Sequence, residues 1–224
     1  MAWQSCKSAR HAIRFFYRIT LGLPDPHFYV RGAKTPSTLP VLLNNEELAR
    51  LFSVTTNLKH RALLMTAYAA GLRASELGRL KISDIDSQRM SVRVGQGKGN
   101  KDRYVPLSPR LLEEMREYWR RKRPEPWLFP NEQLGRPLTR WAAAHIYDRA
   151  KDKAGIDKPG GIHTLLHCYA TGLLEAGVEL HVIQRRLGHS IIRSTMRYLY
   201  LAHDKTSATP SPLDLLEFPR PAQA

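Results

Sequence analysis

Acidic residues are scarce in this chain. Only 20 Asp and Glu stand against 35 Lys and Arg in 224 residues, which leaves a formal charge of +15 and an isoelectric point near 10.2. Such an excess favours a polyanionic partner, with nucleic acid as the first candidate. A basic protein of the membrane surface would need a basic amphipathic helix or a lipidation signal, and the sequence has neither. Cysteine is almost absent. Cys6 and Cys168 alone exclude a disulfide framework and point to a reducing interior. Long apolar runs are missing too. The longest, Ala62 to Ala70, contains Thr66 and Tyr68 and is far too short to span a bilayer. The opening MAWQSCKSAR lacks the apolar centre of a signal peptide. There is no internal repeat and no low-complexity tract. A cytoplasmic protein with no membrane association is the expectation, and 42% hydrophobic residues are enough for an ordinary core.

The periodicities predict a mostly helical chain. Ser5 to Thr20 reads as a helix with Ile13, Phe16, Tyr17 and Ala9 on one face, ended by Gly22 and Pro24. The stretch 31–40, RGAKTPSTLP, reads as a linker. Asn44 with Glu47 three residues on resembles a capping box that opens a helix over NEELARLFS. Leu58 to Ala70 reads as a buried helix and Ala74 to Leu80 as a short amphipathic one. Ile82 to Asp86, Met90 to Val94 and Arg103 to Leu107 read as strands around the turn-rich GQGKGN. Ser108-Pro109 opens a helix through Trp119. Further helices are predicted over Thr139 to Ala154, Thr164 to Ala176, Glu179 to Leu187 and Arg193 to Leu201, with Gly177 and Gly188 as stops. The result is a mainly α fold with a small three-stranded antiparallel β-sheet, of the α+β class. The tail beyond His203 is rich in Pro, Ser and Thr and carries one apolar segment, Leu213 to Phe218.

Four short strings then stand in order: GLRASEL (Gly71 to Leu77), HTLLH (His163 to His167), LGH (Leu187 to His189) and RYLY (Arg197 to Tyr200). In that order and at those distances they resemble the tyrosine recombinases, the phage-integrase and Xer-type enzymes. The resemblance covers Pro40 to Leu201. It implies the fold of that family's catalytic domain over 41–204, and a C-terminal tail over 205–224. It also implies that residues 1–30 are the last helix of an N-terminal core-binding clamp, most of which is missing. From burial alone, that helix could instead dock on the main domain.

The resemblance implies a chemistry as well: site-specific DNA recombination or integration. A phenol attacks a DNA phosphodiester, giving a 3′-phosphotyrosyl bond and a free 5′-hydroxyl with no metal and no cofactor. Three tasks follow: expose a tyrosine, neutralise charge on the phosphate oxygens, and protonate the leaving oxygen. Tyr198, nine residues after His189, matches the nucleophile, with Tyr200 the nearest rival. Arg73 matches the first guanidinium, at a helix start whose dipole also favours phosphate, and Glu76 is read as a local brace. Lys98 at the hairpin tip matches the general acid, while Lys101 and Arg103 read as phosphate contacts. Arg193 and Arg197 are further DNA-binding candidates. His163 and His189 match the two histidines around the phosphate, and His167 is expected on the buried side of its helix. Double-stranded DNA is the implied partner, with a homotetramer or a mixed recombinase assembly on it. A phage or other mobile element is the implied origin.

One position departs. The family's His-x-x-Arg reads here as His163-Thr-Leu-Leu166. Leucine offers no charge and no hydrogen bond, so impaired chemistry is expected. A catalytically silent DNA-binding protein, or a partner of an active recombinase, is the alternative. A more remote alternative is a zinc hydrolase using His163 and His167, spaced i, i+4; that motif needs a glutamate where Thr164 stands, so no metal ligand is assigned.

Overall fold

The computed structural model describes residues 3–24, 39–95, 102–131 and 135–202. The chain divides into two compact units, residues 1–38 and 39–224. In the first, helix α1 (Trp3–Phe15) runs into a π-helical turn, Phe16–Thr20. Leu21 N–H donates to the carbonyl of Phe16, and Gly22 ends the turn at φ +63°. The predicted apolar face is not a buried one: Ile13 and Phe16 are exposed and Tyr17 is half-buried. Residues 31–38 of the expected linker and the apolar tail segment Leu213 to Phe218 lie outside the described residues.

The second unit is helical with one small sheet. Helix α2 (Asn45–Ser53) begins at the capping box read from the sequence, with Glu47 N–H on Asn44 Oδ1 and Asn44 N–H on Glu47 Oε2, both 2.8 Å. Helix α3 (Leu58–Ala69) follows, then the five-residue α4 (Ala74–Gly78). Strands β1 (Ile85–Asp86), β2 (Ser91–Val94) and β3 (Arg103–Pro106) form an antiparallel sheet in the order β1-β2-β3. The register pairs Val92 with Val105 and Arg93 with Tyr104. The valines face the core and the other pair faces out, as a two-residue side-chain period requires.

Helix α5 (Pro109–Lys122) is capped by Ser108 and α6 (Arg140–Lys153) by Thr139, each hydroxyl accepting a main-chain N–H. The last helices are α7 (His163–Glu175), α8 (Leu180–Leu187) and the four-residue α9 (Arg193–Met196), which tightens into a 3₁₀ turn, Arg197–Tyr200. A two-stranded hairpin, β4 (Pro130–Asn131) with β5 (Arg136–Pro137), was not legible in the sequence.

Helix α3 packs between α5 and α7. Its apolar side, with Leu63, Leu64 and Ala67, joins Leu77, Val92, Val105, Leu111, Tyr147 and Leu165 in the main core. A second cluster lies under α8, built from Leu166, Tyr169, Ala170, Ile183, Leu187 and Tyr198. Gly71, at φ +58°, lets the α3–α4 link approach α7. A Cβ there would stand 2.3 Å from the ring of Tyr169, so no other residue fits this crossing.

Two boundaries differ from the expectation. The predicted strand Ile82 to Asp86 begins as a 3₁₀ turn, Ile82–Asp84. Buried Asp84 accepts from Lys81 N–H and from the Arg93 guanidinium, and those bonds hold the turn. The predicted helix Arg193 to Leu201 is short α followed by 3₁₀. Thr195, in α9, and Tyr198, in the 3₁₀ turn, are buried at 0% and 1% exposure, while Arg197, Leu199 and Tyr200 face out.

Candidate active site

Arg73 precedes α4, and Glu76, one turn in, holds it. Glu76 Oε2 accepts the Arg73 main-chain N–H at 2.9 Å, and Oε1 takes the guanidinium at 3.0 Å. Both carboxylate oxygens also bond the Arg103 guanidinium, at 2.8 and 2.9 Å. Burial pushes the Glu76 carboxyl up, but the Arg103 hydrogen bonds and charge, then Arg73, outweigh it, and the group sits below the usual carboxylate value.

Arg103 departs from the expectation of a phosphate contact. Its side chain is 10% exposed. Its remaining arm, Nε–H, donates to the carbonyl of Arg186 at 2.7 Å. The side chain thus ties the root of the β2–β3 hairpin to α4 and to the end of α8, where Gly188 turns the chain at φ +62° against it. Lys98 and Lys101 lie outside the described residues.

His163 begins α7 at the surface, its ring edge-on to His167 with centroids 4.7 Å apart. Desolvation, then the charges of Arg73 and Arg197, hold it below the usual histidine value, against the opposing pull of Glu76. His189 follows the Gly188 turn, and its Nδ1 lies 2.9 Å from Thr195 Oγ1. Arg193 and Arg197 are exposed. Arg197 nonetheless acts electrostatically on His163, His167 and Tyr198.

Tyr198 is not exposed. At 1% accessibility it is buried against Leu166, Ile183 and Leu187. Its hydroxyl lies 3.0 Å from Nδ1 of His167. Burial pushes the phenol up to about 12, opposed by Arg197 and Arg73. Tyr200, by contrast, is 74% exposed. Leu166 is 1% exposed and part of the same cluster. The position that departs from the family motif is therefore packing, and it packs on the candidate nucleophile. Sequence reasoning gave His167 a buried place but no role; nothing in its spacing reveals a bond to a side chain 31 residues on.

Among the described residues, no three His, Cys, Asp or Glu side chains gather as metal ligands. Thr164, where a zinc hydrolase would need its glutamate, is buried and hydrogen-bonded to Tyr147. Elemental analysis of the purified chain is expected to find no stoichiometric zinc. About one zinc per chain would restore the hydrolase reading.

A helical unit with this small sheet, carrying the four motif strings on α4, α7, the α8 turn and the final 3₁₀ turn, defines the catalytic domain of a tyrosine recombinase. Residues 42–205 match the phage integrase family, and the chain belongs to that family. It is 47% identical over 223 residues to y4qK of Sinorhizobium fredii, provisionally named an integrase/recombinase, covering 99% of this chain and 72% of that protein. It is 35% identical over 193 residues to the tyrosine recombinase XerA of Pyrococcus horikoshii, covering 84% of this chain and 66% of that one. Among solved structures, XerA recombinase matches at TM-score 0.68 and 29% identity, over 93% of this chain and 74% of that one. The XerH site-specific recombinase, bound to its difH substrate before cleavage, matches at TM-score 0.73 and 26% identity, over 89% and 62%. By family the chain is an enzyme of site-specific DNA recombination.

Proposed function

We propose that this chain breaks and rejoins double-stranded DNA through Tyr198, and that Leu166 slows it. The observation that carries the reading is the meeting of remote motif residues. Arg73 and Arg197 both act electrostatically on His163 and on Tyr198, and His163 meets the ring of His167, which bonds the Tyr198 hydroxyl. Arg73 and His163 bind the scissile phosphate, His189 donates to it, and Lys98 protonates the leaving 5′ oxygen. A guanidinium suits the phosphate because its planar fork bonds two oxygens at once. With leucine at 166, one such fork is missing. The matching architecture of XerH on DNA supports a DNA partner, and a tetramer or a mixed assembly with another recombinase is the working arrangement on it.

A second reading has its own observation: Tyr198 is buried and held by His167, as suits a silent DNA-binding partner. Covalent capture separates the two. A duplex nicked just downstream of the cleavage point loses the short fragment that carries the freed 5′-hydroxyl, so a phosphotyrosyl adduct cannot reverse. Slow accumulation of adduct that disappears in Tyr198→Phe supports the enzyme. No adduct under any condition, with DNA binding intact, supports the silent partner.

Binding itself is expected to be salt-sensitive, since +15 of charge acts largely on phosphates. Each phosphate contact releases about 0.9 of a counterion, so roughly six contacts lower affinity by about a thousandfold between 50 and 200 mM salt. Fluorescence anisotropy across that range tests it, and a flat salt response contradicts it.

A further inference from the structure

The Tyr198 hydroxyl has one hydrogen-bond partner among the described residues, Nδ1 of His167 at 3.0 Å, with the two rings tilted by 50°. The ring is buried in a cluster with Leu166, Tyr169, Ala170, Ile183 and Leu187. A protonated phenol in such a pocket must give its O–H to the acceptor it has. In that arrangement the Tyr198 O–H donates to Nδ1, and the proton of a neutral His167 sits on Nε2. Neither of the other two histidines is so placed. His163 meets the edge of His167 and not the phenol, and Nδ1 of His189 is engaged with Thr195.

We propose that His167 is the base that takes the Tyr198 proton when the phenol attacks DNA. The proposal rests on the recombinase reading above and adds a residue to it. As the Tyr198 oxygen bonds to phosphorus, its proton passes to Nδ1 of His167, the bond from phosphorus to the 5′ oxygen breaks, and that oxygen receives a proton from the general acid, Lys98. Rejoining runs in reverse. The 5′-hydroxyl attacks phosphorus and returns its proton to Lys98, the Tyr198 oxygen leaves, and the His167 imidazolium gives its proton back.

The groups facing His167 explain why no proton moves before DNA arrives. They are His163 from its own helix, Arg197 and Tyr198 from the 3₁₀ turn, and His189 from the loop after α8. Burial first, and then His163, Arg197 and His189, hold the imidazole down to about 4, while burial holds the phenol high. A phosphate held by Arg73, His163 and Arg197 brings negative charge to these groups and raises the basicity of His167. The base is thus switched on by the substrate it serves.

The test uses the whole chain, in the Leu166→Arg background if the native signal is too small, with two nicked duplexes. One carries an ordinary 5′ oxygen at the scissile bond. The other carries sulfur, a leaving group that needs no acid. His167→Asn keeps an acceptor near the place of Nδ1 but cannot take a proton, and His167→Phe removes both. Both variants are expected to form adduct about a hundredfold or more slowly, the scale of a lost general base, and on the sulfur duplex as well. Lys98→Ala is expected to recover on sulfur. Near-native rates for a folded His167→Asn would reduce His167 to a positioning contact, and faster adduct in His167→Phe would make it a latch; either overturns the proposal. Nitrogen-15 NMR of the unsubstituted chain gives a reading that needs no variant to fold: the Nε2–H form of His167 supports the proposal and the Nδ1–H form defeats it. If Tyr198→Phe still forms adduct in the same background, the recombinase reading itself fails, whatever His167 does.

Discussion

Leu166→Arg is expected to raise covalent adduct on a nicked duplex by about a hundredfold, the usual effect of one preorganised donor on a developing oxyanion. Adding Tyr198→Phe is expected to abolish it, because phenylalanine has no attacking oxygen. The structure adds a stability cost. Leu166 is 1% exposed and packs with Tyr169, Ile183, Leu187 and Tyr198. An arginine there gives up roughly 2 kcal/mol of leucine burial. It also places an unpaired charge where Arg73, Arg197 and His163 already gather, and an unpaired buried charge costs about 3–5 kcal/mol. The variant should therefore melt well below the native chain. Its melting temperature should also rise more than the native chain's when DNA is added, since phosphate supplies the missing counter-charge. Gel analysis of DNA-linked protein, with thermal unfolding in parallel, tests both halves. A folded Leu166→Arg chain with no gain in adduct would show that something other than position 166 limits the chemistry.

The other large effect is expected at Glu76. Its carboxylate holds two guanidiniums and one main-chain N–H, and its side chain is 6% exposed. Glu76→Gln should destabilise the fold by about 3 kcal/mol, because Arg103 keeps its charge in a buried place without a counter-ion. Adduct formation should fall too, since Arg73 loses the acceptor that fixes its backbone and the hairpin root loses its tie. The same pair sets an acid limit. The folded value of Glu76 is depressed below 4.5. Its contribution to stability is therefore complete above about pH 4.5 and is lost as pH falls through the lower folded value. Denaturation midpoints measured from pH 7 down to pH 3 should drop at the acid end for the native chain and less for Glu76→Gln. Parallel curves for the two would exclude Glu76 as the cause.

The local features were legible in advance because neighbouring residues make them. The Asn44–Glu47 capping box, the Ser108 start of α5, the alternating pattern of β2 and β3 and the stop at Gly188 all involve partners a few residues apart or an alternating strand pattern. The structure has each of them. The motif strings, read together with their spacing, were enough for the family and its fold. The β4–β5 hairpin was missed because two-residue strands carry too little alternation to register. The 3₁₀ winding of Arg197–Tyr200 was missed because its sequence suits an α-helix equally well.

By itself the sequence determined the family, the mainly helical domain with its small sheet, the positive field, and the leucine where the family has arginine. Only the tertiary structure decided what those residues do to each other. It closes Glu76 on Arg103, which turns an expected phosphate contact into a tie between β3, α4 and α8. It packs Leu166 against Tyr198 and brings the phenol to His167. The physical reason is distance along the chain: these partners lie 27 to 83 residues apart in the charged ties and 31 apart in the phenol–imidazole bond. Which of them meet depends on how α7, α8 and the last turn bury their apolar faces together, and side-chain spacing within one helix carries no record of that.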